Sequence, residues 1–294
     1  MPRGSLCISI DVELAWGIWD KPSLDYHARC AESEERIVRG LLALFERFAI
    51  PATWAVVGRL LELDPAAARS TPHGARIWYA PELIDRVRAS RTPQDIGSHS
   101  YAHVYFGSVA REAVREDLRS ARRVHDARGL PFTSFVFPRN QVAHIDLLHD
   151  AGVQVFRSVD HGWHIAVRDR LGSRAGRLAN LADKVLPVPP AVVRPIVHRT
   201  ARGEIVELPS SMLLMARNGL RRAVHPDVLV GKARLGLAAA RRTGGIFHLW
   251  FHPSNFYYDP EGQLAVLGDI AAAAAAMRDC GEIDIRPMSS YAAA

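Results

Sequence analysis

Cysteine is scarce in this chain. There are three in 294 residues, Cys7, Cys30 and Cys280, odd in number and too scattered for a disulfide framework or a zinc-ribbon spacing. Their scarcity excludes the small stapled folds and fits a reducing compartment. No apolar run approaches the roughly 20 residues of a membrane span. The N-terminus reaches an acidic residue, Asp11, after a short strand-like run, unlike the longer apolar region of a signal peptide, so a soluble cytoplasmic protein is expected. Internal repeats are absent, and so are zinc-finger spacings, an RNP motif and a Lys-rich tail, which argues against nucleic acid as a partner. The net charge of +6 comes from an arginine-rich composition and does not by itself name an anionic ligand.

What is present is ordinary globular material, 48% hydrophobic and 23% charged, enough for one large α/β domain over 1–294. Leu6 to Ile10 is a β-rich run ending in Asp11-Val12-Glu13, and its period of two puts Ser9, Asp11 and Glu13 on one face. Two carboxylates at a strand's C-terminal end lie where parallel α/β folds build their sites; local capping or pairing is the alternative. Trp16 and Trp19 follow in a loop, as core plugs or as a sugar-stacking platform.

Tyr26 to Phe48 reads as an amphipathic helix with Ile37, Leu41, Leu44, Phe45 and Phe48 inward, and Pro51 to Val57 as the next strand. An Ala-rich turn of helix falls between Pro65 and Pro72, and a short helix opens at Pro81. Ile96-Gly97 then delivers His99 and His103 to a strand's end, where two imidazoles at i,i+4 could hold a metal ion. The spacing alone says little, since His248 and His252 repeat it. Ser108 is placed to cap the next helix, with Ala113, Leu118, Ala121 and Val124 as its apolar positions. Thr133 to Phe137 is another strand, ended by Pro138-Arg139-Asn140, and Arg139 either pairs with a carboxylate or lies on the surface. Val153 to Phe156 leads into Arg157-Ser158-Val159-Asp160. This alternation of strand and helix argues for a mainly parallel sheet or a barrel.

The rhythm changes around 168–232. Leu171, Leu178, Leu181, Val185 and Leu186 with Arg170, Arg174, Arg177 and Lys184 suggest a basic amphipathic helix inserted there. It would be an ordinary helix over the barrel edge or a peripheral contact with a membrane or lipid-linked substrate. Met212 to Met215 reads as core. Ile246 to His252 alternates, placing His248, Trp250 and His252 on one face and Phe247, Leu249 and Phe251 on the other. His252 is a candidate general acid or base, and His248 an interior neighbour.

Taken together, these motifs resemble the polysaccharide deacetylase superfamily, the NodB-homology carbohydrate esterases. His99-Ser100-Tyr101-Ala102-His103 matches the family's His-[Ser/Thr]-x-x-His motif, Asp11-Val12-Glu13 a spaced variant of its acidic pair, and His252-Pro253 its late histidine motif. Pro138-Arg139-Asn140 matches the central Arg-and-Pro motif loosely, so the chain resembles an atypical member. The resemblance implies a distorted (β/α)7 barrel and a divalent metal, usually Zn2+, held by Glu13, His99 and His103. It further implies Asp11 as general base, Arg139 as its orienting group and His252 as proton donor to the leaving amine, with Asp160 behind His252. Trp16, Asn140 and Trp250 are expected on the substrate side.

The implied activity is metal-dependent hydrolysis of an N-acyl group, N-acetyl foremost, from an amino sugar or an amino-sugar-containing biosynthetic intermediate. The alternatives are a metal-independent amidase of small amides and a catalytically silent carbohydrate-binding protein, for which Trp16, Trp19 and Trp250 would form a stacking surface.

Overall fold

The computed structural model describes residues 3–18, 20, 24–62, 75–159, 162–186 and 188–292. Trp19, Asp160 and the turn expected between Pro65 and Pro72 lie outside them. The first half runs β1 (Gly4–Val12), α1 (Leu24–Phe48), β2 (Thr53–Val56), α2 (Pro81–Arg88), β3 (Asp95–Ser98), α3 (Arg111–Ala127), β4 (Ser134–Val136), α4 (Ile145–Asp150) and β5 (Val155–Ser158). The second runs α5 (Trp163–Val185), β6 (Ile196–Thr200), β7 (Gly203–Pro209), β8 (Met212–Leu213), α6 (Pro226–Thr243), β9 (Ile246–Phe251), α7 (Pro260–Asp279) and β10 (Ile283–Ile285).

β1 is the central stave, paired in parallel with β2 on one side and β9 on the other. From β2 the parallel order continues through β3, β4 and β5 to β7. The chain of β7 runs on through Ser210 and Ser211 into β8, which pairs in parallel with β9. At the change of partner, the Ser210 N–H donates to the Ser158 carbonyl at 3.2 Å and the Ser211 N–H to the His248 carbonyl at 2.8 Å. Counting β7 and β8 as one bent stave, the ring closes on itself as the distorted (β/α)7 barrel. The expected insertion at 168–232 is therefore only partly an excursion, because β7 and β8 are barrel wall. β6 is the antiparallel partner of β7, and its exposed residues carried no periodic signal.

Burial sorts the staves as the alternation predicts. Leu6, Ile8, Ile10 and Val12 of β1 face outward with Phe247, Leu249 and Phe251 of β9, packed on Ile37, Leu41 and Phe45 of α1 and Leu267, Ile270 and Ala274 of α7. Cys7, Ala55, Val136 and Val155 fill the interior. Met288 and the half-buried Tyr291 join that interior cluster from the chain's end, where the Met288 N–H donates to Thr53 Oγ1 at 2.7 Å and Ser5 Oγ and Tyr291 Oη lie 2.6 Å apart. Polar residues gather toward the other end, at the C-terminal mouth.

Two local expectations are corrected. In α3 the buried apolar positions are Val114, Leu118, Ala121 and Val124 while Ala113 is exposed, because the helix begins at Arg111. Ser108 does not cap it; its hydroxyl reaches Gln141 Oε1 at 3.0 Å instead.

Candidate active site and metal centre

The polar side chains at the mouth come from the ends of several staves. Asp11 closes β1 and Glu13 follows it, with Gly17 packed so closely that a Cβ there would fall 2.3 Å from the Glu13 carboxyl carbon. β3 delivers His99. The turn to His103 is clamped by α3, whose buried Asp117 accepts from the Tyr101 and Ala102 N–H groups, both at 2.9 Å. Ser100 Oγ accepts from the Val104 N–H at 3.0 Å. Among the described residues seven non-glycine positions have positive φ, and five of them, Leu14, Ser100, His103, Arg139 and Asn140, flank this mouth. Backbone strain is concentrated where side chains must converge.

Glu13, His99 and His103 do converge, their ligand atoms all within 4.8 Å of one another. Glu13 Oε2 stands 2.8 Å from His103 Nε2 and 3.3 Å from His99 Nε2. The Val136 carbonyl 2.8 Å from His99 Nδ1 can only accept, so that nitrogen carries the proton and Nε2 presents a lone pair to the carboxylate. Two electron-rich atoms facing each other at that distance call for a cation between them. The donor set, two imidazoles and one carboxylate held from behind by a backbone carbonyl, fits a divalent metal such as zinc with positions left for water and substrate.

Asp11 lies beside this cluster and not in it. Arg157, fully buried on β5, grips it with two N–H···O bonds of 2.7 Å, one to each carboxylate oxygen. The same guanidinium donates to Ser9 Oγ at 3.0 Å and Asn140 Oδ1 at 3.2 Å, and lies 4.3 Å from the centroid of the Trp250 ring. Ser9 in turn meets His248 Nε2 at 2.9 Å while His248 Nδ1 donates to the Pro209 carbonyl at 3.1 Å. Burial, with Arg157 nearby, drives His248 down to about 3, so it is a neutral interior strut.

Burial alone would raise Asp11, but Arg157, followed by His252, holds it below the usual carboxylate range. Burial works against Glu13 too, and His252 and His103 bring it well below. His252, at the end of β9, sits 3.2 Å from Glu13 Oε1 and 3.6 Å from Asp11 Oδ2. Burial disfavours its charge, yet the carboxylates of Glu13 and Asp11 outweigh that and raise it above the ordinary histidine value. Glu34 of α1 lines a small cavity with Asp11 and Glu13. Burial and the Glu13 charge push its carboxyl up to about 8, so at neutral pH it adds no third negative charge to the cluster.

The expectations therefore divide. Asp11, Glu13, His99, His103 and His252 meet at one mouth, and Asn140 and Trp250 border it through Arg157. Arg139 is not the partner of Asp11. It points to the rim, 3.5 Å from Asp20 Oδ1, with bonds to the Gly17 carbonyl and the Tyr105 hydroxyl, because its positive φ at the strand end turns it away. Trp16 is committed to packing: its Nε1 donates to the Trp78 carbonyl at 2.8 Å, its ring meets Trp78 edge-on, and Arg59 covers it. The residue missed was Arg157. Its signal was in the period of two, which continues inward from Val155 to Arg157 and puts a guanidinium among apolar positions.

Residues 30–156 match the family model described as polysaccharide deacetylase. No curated protein matches by sequence. The fold is shared with a putative polysaccharide deacetylase from Mycobacterium smegmatis, at 18% identity over 99% of this chain and 89% of that one, TM-score 0.68. A probable polysaccharide deacetylase from Pseudomonas aeruginosa PAO1 follows at 13% identity over 97% and 88%, TM-score 0.65. Puue allantoinase shares it at 13% identity over 97% and 88%, TM-score 0.62. At these identities the likeness is one of fold. Family match and fold together bear out the resemblance read from the motifs, and the chemistry has to be argued from the mouth of the barrel.

Proposed function

We propose, on the premise that this chain is of the polysaccharide deacetylase kind, that it is a hydrolase removing an N-acyl group, N-acetyl foremost, from an amino sugar or amino-sugar-containing intermediate. The observation that carries the reading is the Glu13–His99–His103 cluster standing directly against the Asp11–Arg157 pair and His252. Glu13, His99 and His103 would hold a divalent cation, which would polarise the acyl carbonyl as a Lewis acid and acidify water.

The protein's own groups divide the proton work. Asp11, kept ionised and fixed in orientation by the fork of Arg157, is free to accept a proton from the attacking water. His252 is partly open to the mouth and lies 3.6 Å from the ionised Asp11, which favours the imidazolium; it delivers that proton to the departing amine nitrogen. The separation of roles follows from environment: one group is driven toward its charged base form and its neighbour toward its charged acid form, which suits them to act in the same turnover. Asn140 and Trp250 hold Arg157 from two sides and so act on Asp11 indirectly.

The test is acetate release from N-acetylglucosamine oligomers by purified protein loaded with zinc. Asp11→Asn and His252→Ala are each expected to lower kcat by about 10²–10⁴-fold with the metal retained. Undiminished activity in either variant would remove the assignment. Full activity in chelator, with no stoichiometric metal, would favour the metal-free amidase chemistry instead, and the panel should then turn to small amides.

A further inference from the structure

A second cavity, of about 360 Å³, lies on the flank of the barrel between α5, residues 189–191, β8 and the start of α6. Its size is that of a small-ligand site. Nine of its thirteen lining residues are apolar, Trp163, Met212, Leu213, Met215, Leu229 and Trp250 among them.

The roof is a built feature. Trp163 Nε1 donates to Asp183 Oδ1 at 2.8 Å, although twenty positions of straight helix would part them by about 30 Å. Gly172, with φ 83° and ψ 176°, breaks α5 and turns it back on itself. The arms touch at Gly176, where a Cβ would fall 2.4 Å from that of Arg168. Lys232 of α6, 3% exposed, pins the returning arm by pairing with Asp183 Oδ2 at 3.0 Å and donating to its carbonyl. The expected basic helix is thus a helical hairpin latched over a cavity.

The inner wall is shared with the reaction centre. Trp250 lines the cavity, and its ring also carries the Arg157 guanidinium that grips Asp11. Its Nε1 is buried without an acceptor among the described residues, a donor that burial makes costly to leave unmade.

We infer that this cavity receives an alkyl chain of medium length carried by the substrate. The inference rests on the N-acyl hydrolase reading of the adjacent mouth. A sugar ring would bury hydroxyls against a mainly apolar wall whose polar groups are already engaged, Lys232 with Asp183 and Ser211 Oγ with the His248 N–H. A charged group gains nothing, because Lys232 and Asp183 already neutralise each other. Met212 and Met215 are the side chains that adapt to a flexible chain, and the volume suits roughly a dozen non-hydrogen atoms at about 30 Å³ each. The chain arrives from one of two sources, the N-acyl group itself or the group attached on the sugar's anomeric side.

Calorimetric titration with octyl β-D-glucoside below its micellar concentration, against methyl β-D-glucoside, reads the cavity without catalysis. One saturable site for the octyl compound and none for the methyl compound is expected. Leu213→Trp, at a half-buried position, and Leu229→Trp should each weaken it more than tenfold while leaving turnover of short N-acetyl substrates unchanged. Two kinetic series then separate the sources: N-acyl glucosamines from acetyl to octanoyl, and alkyl N-acetylglucosaminides from methyl to octyl. In one of them kcat/KM should rise about fourfold per methylene, the equivalent of ~0.8 kcal/mol, and should stop rising in the filled variants. Absence of octyl binding, binding unaltered in both folded variants, or flat series in both directions overturns the inference. Octyl binding without turnover of any N-acyl sugar would sustain the cavity and sink the hydrolase reading instead.

Discussion

Replacing Arg157 with alanine separates the two arginines that sequence motifs confuse. Its guanidinium has no solvent exposure and supplies both hydrogen bonds to an Asp11 carboxylate that is itself 3% exposed. Removing one partner of a buried pair leaves an uncompensated charge and costs about 3–5 kcal/mol of stability. The chain can relieve part of that by protonating Asp11. With Arg157 present, Asp11 lies below the usual carboxylate range; without it, burial becomes the dominant influence and pushes it up. Asp11 must be ionised to accept a proton, so the acid limb of kcat/KM should move to higher pH, with activity at neutral pH reduced. Arg157→Lys should fall between, since an ammonium cannot span both oxygens. Arg139→Ala, at a side chain 35% exposed on the rim, should stay within about 0.5 kcal/mol of wild type with the acid limb unmoved. Urea unfolding and pH–rate profiles of the three variants are the assays. An Arg157→Ala protein of wild-type stability and pH profile, or an Arg139→Ala protein that moves the limb, would refute the reasoning.

Two further outcomes follow from buried groups. His125 donates from Nδ1 to the Pro131 carbonyl and is driven by burial down to about 4. The unfolded chain binds its proton below about pH 6.5, so wild-type stability should fall as pH drops from there toward 4, by up to about 3 kcal/mol; His125→Gln should flatten that slope in denaturant melts. Asp117→Ala frees the Tyr101 and Ala102 N–H groups that fix the loop carrying His103. Zinc affinity, measured by competition with a chromophoric chelator, should fall about 10–100-fold, and an unchanged affinity would show that the loop holds itself.

The alternation along β1 and β9 made the inward carboxylates and histidines legible, because a parallel stave with helices outside has only two faces and apolar residues fill one of them. The closing of the barrel was not legible: β7 and β8 are one stave changing partners at Ser210–Ser211, and neither shows a long periodic run. Arg139 misled because a strand-end arginine next to proline says nothing about the φ that aims it. Arg157 was overlooked because a buried arginine looks improbable until its carboxylate is known. The hairpin of α5 depends on Gly172 and on a Trp163–Asp183 bond across twenty positions, a contact that helical periodicity alone does not reveal.

The most direct test of the central claim is zinc stoichiometry by calorimetry on four proteins: wild type, Glu13→Ala, His99→Ala and Asp11→Asn. One zinc per chain in the wild type and in Asp11→Asn, with loss of the site in Glu13→Ala and His99→Ala, is the result predicted for a cluster that includes Glu13 and leaves Asp11 free as base. Loss of the ion in Asp11→Asn with retention in Glu13→Ala would contradict it.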